Sequence, residues 1–187
     1  QTCVPLLQRF SAVAVVAAAV ILTENFSHPL LNDSKKLTHG QRDKLKSEIK
    51  ETALAWAVAF VDHEEIDRIN ILNASFLAMH LALDHLKLRP QHILIDGNRF
   101  KKYRDIDHQC IVKGDGKYFS IAAASVLAKT SRDEFMEKLH EEFPMYQWKK
   151  NKGYPTADHR KAIMEFGPVY CHRKSFTLIP PQLKISF

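Results

Sequence analysis

The chain has 187 residues, 45% apolar and 26% charged, which suits one globular domain with a core of its own. Its net charge of +6 and pI near 9.2 favour a polyanionic partner. Three cysteines, Cys3, Cys110 and Cys171, are widely spaced with no CxxC pair, which argues against a disulfide framework or zinc site and for reduced thiols in the cytoplasm.

Residues 1–22 begin with apolar and polar residues mixed and become continuously apolar from Ala12 to Leu22. That run is short of the ~20 residues that span a bilayer. Its valines and isoleucine predict a strand buried on both faces. A polar connection over 23–40 includes Asn32-Asp33-Ser34-Lys35-Lys36. Thr38 or Gly40 is placed to cap a helix from Gln41 to about Lys50. In Ala53–Val61 the large residues Leu54, Trp56, Val58 and Phe60 alternate with alanines. Period two with both faces apolar predicts a central strand whose alanine face admits a close helix.

Asp62 is positioned to cap a long amphipathic helix marked by Ile69, Leu72, Phe76, Met79, Leu83 and Leu86 and ended before Pro90. Asn73 and Ser75, near its start, read as solvated face. A strand, His92–Ile95, runs into Asp96-Gly97-Asn98, and a charged loop or hairpin covers Arg99–Asp107. A second short strand, Cys110–Val112, runs into Lys113-Gly114-Asp115-Gly116. A helix over 118–140 turns Ile121, Ala124 and Ala128 to the sheet and Ser125, Lys129 and Asp133 to another face. An aromatic and basic break over 143–153 precedes a helix over 156–166, stopped by Gly167-Pro168. Alternation of this kind predicts a mixed α/β layered domain.

P-loop, GxGxxG, HExxH and GxSxG patterns are all missing from the sequence. Asp96 and Asp115, 19 residues apart, each close an apolar run beside a glycine. Two carboxylates at neighbouring strand ends suit a hard divalent cation with oxygen ligands. On pattern alone, a pair of turn aspartates is the alternative. Lys35, Lys36, Lys113, Lys129 and the lysines of 149–152 could meet phosphates beside such a metal. Carboxylate, metal and phosphate together specify phosphoryl chemistry. Tyr154 offers a ring to stack on a sugar or base, or a hydroxyl to hydrogen-bond.

Seven motifs, in order, carry a resemblance. They are DSKKL (33–37), ASFLAM (74–79), LIDGNRF (94–100), VKGD (112–115), SIAAASVLAKTSRD (120–133), NKGYPT (151–156) and HR-SF within 172–176. Together they resemble bacterial ribonuclease HII over about residues 12–176. The resemblance implies an α/β ribonuclease H-like fold: a five-stranded mixed sheet flanked by helices. It implies one domain over 1–187, with a core to about 142 and a C-terminal helical extension over about 143–187. It also implies a monomeric endonuclease that cuts the RNA strand of RNA–DNA hybrids and cuts 5′ of ribonucleotides embedded in duplex DNA. The products would carry 3′-hydroxyl and 5′-phosphate ends, and the cofactor would be Mg²⁺ or Mn²⁺. Asp96 and Asp115 match two of the family's four metal-binding carboxylates. Tyr154 matches a tyrosine that packs on the deoxyribose after the ribonucleotide. Ser34, Lys35 and Lys129 lie in motifs that contact phosphate.

One departure stands out. The family's other two carboxylates form an Asp-Glu pair on its first strand, but this chain has no Asp or Glu before Glu24. Counting back without gaps from the apolar run puts the pair near Val4 and Pro5. The glycine–arginine–glycine that follows it in the family falls at Leu7, Gln8 and Arg9. The expectation is a chain impaired in metal binding and cleavage. Three explanations stay open: an altered N-terminal segment in an otherwise active protein, a catalytically silent relative that binds nucleic acid, or ligands supplied through a different alignment or by a partner.

Overall fold

The structure is a computed structural model that describes the backbone of residues 2–5 and all of 13–31 and 38–175. Five strands form one sheet among these residues: β1 (Thr2–Pro5), β2 (Ala14–Ile21), β3 (Ala55–Asp62), β4 (Ile93–Asp96) and β5 (His108–Ile111). Their order across the sheet is β3-β2-β1-β4-β5. β2 runs antiparallel to β1 and β3, and β4 runs parallel to β1 and β5. The ends of β1, β4 and β5 and the start of β2 therefore share one edge of the sheet.

β2 is buried along its whole length, as a continuous apolar run demands. Its residues divide by parity. Val15, Ala17 and Ala19 join a core under α2 (His63–Asp84), while Ala18 and Val20 join one under α1 (His39–Thr52) and α3 (Phe119–Glu142). This alternation makes three layers, with α2 on one face and α1 with α3 on the other. Thr38 closes a capping box with Gln41 at the start of α1, and Asp62 accepts the Glu65 N–H at 2.8 Å to start α2. Both caps fall where the sequence places them.

β3 differs from expectation: it lies at the edge of the sheet, not at its centre. Its alanines are buried toward α2, but Trp56 and Phe60 remain 36% and 43% exposed. Local contacts half-cover them. The Lys50 ammonium lies 4.3 Å from the Trp56 ring centre, and Phe135 stands 5.6 Å from Phe60. Alternation reports which faces are apolar, not whether a strand neighbours its hydrogen-bonding edge.

Asn73 and Ser75 also differ from a solvated face. Ser75 is buried and donates to the Ile71 carbonyl at 2.7 Å. Asn73 donates to the Ile69 carbonyl at 2.9 Å. The cause is a kink at Asn70 (φ 68°), whose Oδ1 accepts the N–H groups of Leu72 and Asn73 and restarts the helix with a different face inward.

After α3 the chain makes a short helix, α4 (Trp148–Asn151), and then α5 (Ala157–Phe166). Tyr146, Trp148, Ile163 and Cys171 form an aromatic-rich core with Met136 and Leu139 of α3 and Val13 at the start of β2. The C-terminal region thus packs at the sheet edge where β4 ends. Asp67 of α2 pins the far end, accepting from Arg173 Nε at 3.1 Å, Lys174 N at 2.7 Å and the hydroxyl of Ser175. Among the described residues, Cys110 and Cys171 are free thiols, and no helix is long and apolar enough to cross a membrane.

Candidate active site

Asp96 is the last residue of β4, and Ile111 stands opposite it on β5. Two glycines shape the turn beyond. Gly97 takes φ 141°, a region L side chains avoid, and its N–H reaches the Ile111 carbonyl at 3.0 Å. Past β5, Lys113 turns left-handed (φ 55°) and starts a single 3₁₀ turn, Gly114–Gly116. The Gly114 N–H donates to Asp96 Oδ1 at 2.9 Å. Any side chain at 114 would run into Ile121 Cδ1 on α3. The turn therefore sits tightly between the strand ends and α3, and it carries Asp115, which is 5% exposed.

Asp96 and Asp115 are thus brought together by one backbone hydrogen bond and one glycine. Both donors are hard carboxylate oxygens, the set a divalent cation of the magnesium or manganese class prefers. Among the described residues no group of three or more His, Cys, Asp or Glu gathers around them. Two carboxylates of this kind suit that class of ion.

The backbone of β1 borders the strand that ends in Asp96. It lies between β2 and β4, with Val4 opposite Ile95 and Pro5 opposite Asp96. Pro5 is therefore level with Asp96 and Val4 with the residue before it, and neither residue type carries a carboxylate. β1 was missed in the sequence, since four residues ending in proline are too short to show a period.

Tyr154 is half-buried on the loop between α4 and α5. Lys152 (φ 49°) and Gly153 (φ 78°) turn that loop. Asn151 braces it, accepting the Gly153 N–H at 2.9 Å and donating to the Tyr146 carbonyl at 2.6 Å. The Lys152 ammonium lies 3.3 Å from Glu137 and 3.9 Å from Asp133. Burial pushes the Glu137 carboxyl up, but the Lys152 hydrogen bond and the nearby charges of Lys152, Lys149 and His39 outweigh it and hold the group low. The loop is tied to α3, the helix that begins beside Asp115. Lys129 is half-buried on that same helix, one turn before Asp133. Ser34 and Lys35 lie outside the described residues. Asn151 and Arg132 shape the loop too, and sequence reasoning assigned neither a role; burial of a helix arginine leaves no trace in periodicity.

A family model described as Ribonuclease HII matches residues 11–179. Ribonuclease HII of Christiangramia forsetii is 64% identical over 173 residues, covering 92% of this chain and 87% of the relative. Ribonuclease H2 from Pyrococcus horikoshii shares the fold, with a TM-score of 0.79, 22% identity and 95% of each chain covered. A ribonuclease HIII solved in complex with Mn²⁺ matches with a TM-score of 0.65 at 19% identity, covering 95% of this chain and 67% of that one.

Proposed function

This chain belongs to the ribonuclease HII family of endoribonucleases, and on that premise we propose its reaction. It hydrolyses the RNA strand of RNA–DNA hybrids and cuts 5′ of ribonucleotides embedded in duplex DNA, leaving 3′-hydroxyl and 5′-phosphate ends. The observation that carries this reading is the Gly114-mediated pairing of Asp96 with Asp115 at neighbouring strand ends. In the proposed two-metal scheme these two would hold Mg²⁺ or Mn²⁺. The chemistry such ions supply is activation of a water and stabilisation of the leaving oxygen. Tyr154 meets the sugar at the ribo–deoxyribo junction, and Ser34, Lys35 and Lys129 contact phosphates. The protein works as a cytoplasmic monomer in ribonucleotide excision. It forms one domain whose C-terminal extension is joined to the core through Val13, Met136 and Trp148.

The polypeptide as it stands has two of the four carboxylates such a centre uses, so we propose that it cleaves weakly. The test is a magnesium-dependent assay on an end-labelled duplex with one ribonucleotide. The expected result is slow cutting 5′ of the ribonucleotide, lost on Asp96→Asn. Robust cutting that Asp96→Asn abolishes would overturn the proposed impairment, and cutting insensitive to Asp96 would overturn the site. A second reading, binding without chemistry, is favoured by the sequence having no Asp or Glu before Glu24. It calls for salt-sensitive duplex binding with no turnover at any metal concentration.

A further inference from the structure

We propose that Arg132 is a positioning residue for Tyr154, holding its ring in one pose before nucleic acid arrives. The inference rests on the reading of Tyr154 as the residue that meets the junction sugar. Arg132 sits on α3 and is only 7% exposed, so it is poorly placed to meet a phosphate itself. Its guanidinium carbon lies 5.2 Å from the centre of the Tyr154 ring, within reach of a cation–π contact. Its Nη2 donates to the Lys152 carbonyl at 2.7 Å.

The backbone on either side of Tyr154 is already fixed. Its N–H donates to the Asn151 carbonyl at 2.9 Å, and Arg160 Nη2 donates to the Pro155 carbonyl at 2.7 Å. Those bonds fix where the Cα stands but leave the two side-chain torsions of the tyrosine open. The contact with Arg132 acts on the ring itself. A planar guanidinium can lie against a ring and bond a carbonyl at once, which an ammonium, as a point charge, does less well. Burying a cation is costly unless its bonds compensate, and the Nε of Arg132 has no hydrogen-bond partner among the described residues. That residual cost favours a role in holding the loop and ring over a merely convenient filler. A ring held in advance spends less ordering entropy on binding a sugar.

The test uses two readouts on the full chain. The first is ¹⁹F NMR of protein labelled with 3-fluorotyrosine, with the Tyr154 signal assigned through Tyr154→Phe. Arg132→Met should shift and narrow that signal and leave the Tyr103 signal in place, and Arg132→Lys, which keeps the charge, should shift it less. The second is fluorescence anisotropy with a duplex carrying one ribonucleotide, in magnesium-free buffer. Tyr154→Ala should weaken binding. Arg132→Met should weaken it about threefold to tenfold, Arg132→Lys by less, and Arg132→Met should cost nothing further in the Tyr154→Ala background. An unmoved Tyr154 signal, or additive losses in the double variant, overturns the positioning role while leaving the reading of Tyr154 intact. If Tyr154→Ala binds as well as the parent, the reading of Tyr154 falls, and the functional part of the proposal falls with it.

Discussion

Pro5 stands opposite Asp96 in the parallel ladder of β1 and β4, with Val4 opposite Ile95. The backbone position that could complete a carboxylate cradle is thus present and central in the sheet, but its residues are apolar. Replacing them together, Val4→Asp with Pro5→Glu, is expected to raise magnesium-dependent cleavage by at least an order of magnitude. Proline has no N–H to give a ladder, so Pro5→Glu also restores a donor. Isothermal titration with Mn²⁺ checks the binding half of this prediction, and Asp96→Asn in the same background should remove both gains.

Gly114 controls the geometry of the aspartate pair. Gly114→Ala places a methyl against Ile121 Cδ1, and Ile121 is wholly buried against Leu94 and Ile111. The expected loss of stability is about 1–3 kcal/mol, the usual range for overpacking. Removing that methyl with Ile121→Val should recover much of the loss, so the two substitutions are non-additive in denaturant melts. Equal costs in both backgrounds would show that the turn does not press on α3.

The C-terminal aromatic core is expected to be acid-sensitive. His172 is pushed down to about 4, by burial first and then by the neighbouring charge of His159, and burial lowers His159 as well. Their rings stack 5.3 Å apart. Each is therefore harder to protonate in the folded protein than in the unfolded chain. Stability is full above the ordinary histidine value of 6.5 and declines as pH falls from there toward about 4. Thermal melts from pH 7 to pH 4 should show the decline, and His172→Asn should flatten it. A parent protein equally stable across that window would rule the pair out as its cause.

Asp67 fastens Arg173, Lys174 and Ser175 to α2. Burial pushes its carboxyl up, but the hydrogen bonds from Ser175, Arg173 and the Lys174 and Ser175 N–H groups prevail and hold it at about 2. A depressed carboxylate contributes stability that is complete above its ordinary value of 3.8 and is lost as pH falls through about 2. At neutral pH, Asp67→Ala should cost about 1–3 kcal/mol through the orphaned donors and open the Arg173–Lys174 region to trypsin. Mass mapping of the first cleavage products tests this; unchanged protection of that region would show that the fastening lies elsewhere.

Much of the local structure is legible in the sequence, for identifiable reasons. The caps at Thr38 and Asp62 follow from side-chain chemistry and spacing. β2 announces itself through an unbroken β-branched and alanine run, and the two aspartates through apolar runs that stop at glycine. Failures occur where the answer depends on what lies alongside. Trp56 and Phe60 look central because both faces of their strand are apolar, yet nothing pairs with the outer edge among the described residues. Asn73 and Ser75 look solvated because a period assumes a straight helix, and Asn70 bends it.

The linear chain alone carries the layered α/β character, the two aspartates that close apolar runs and the lack of an acid before Glu24. These depend on residue type and short-range spacing, which the linear chain carries in full. Only the tertiary structure decided that Gly114 ties Asp115 to Asp96, that Pro5 stands level with Asp96, and that Arg132 reaches Tyr154 across a gap of 22 positions. Those relations arise from strand register and helix packing, which bring distant residues together through a shared core and leave no periodic signature along the chain.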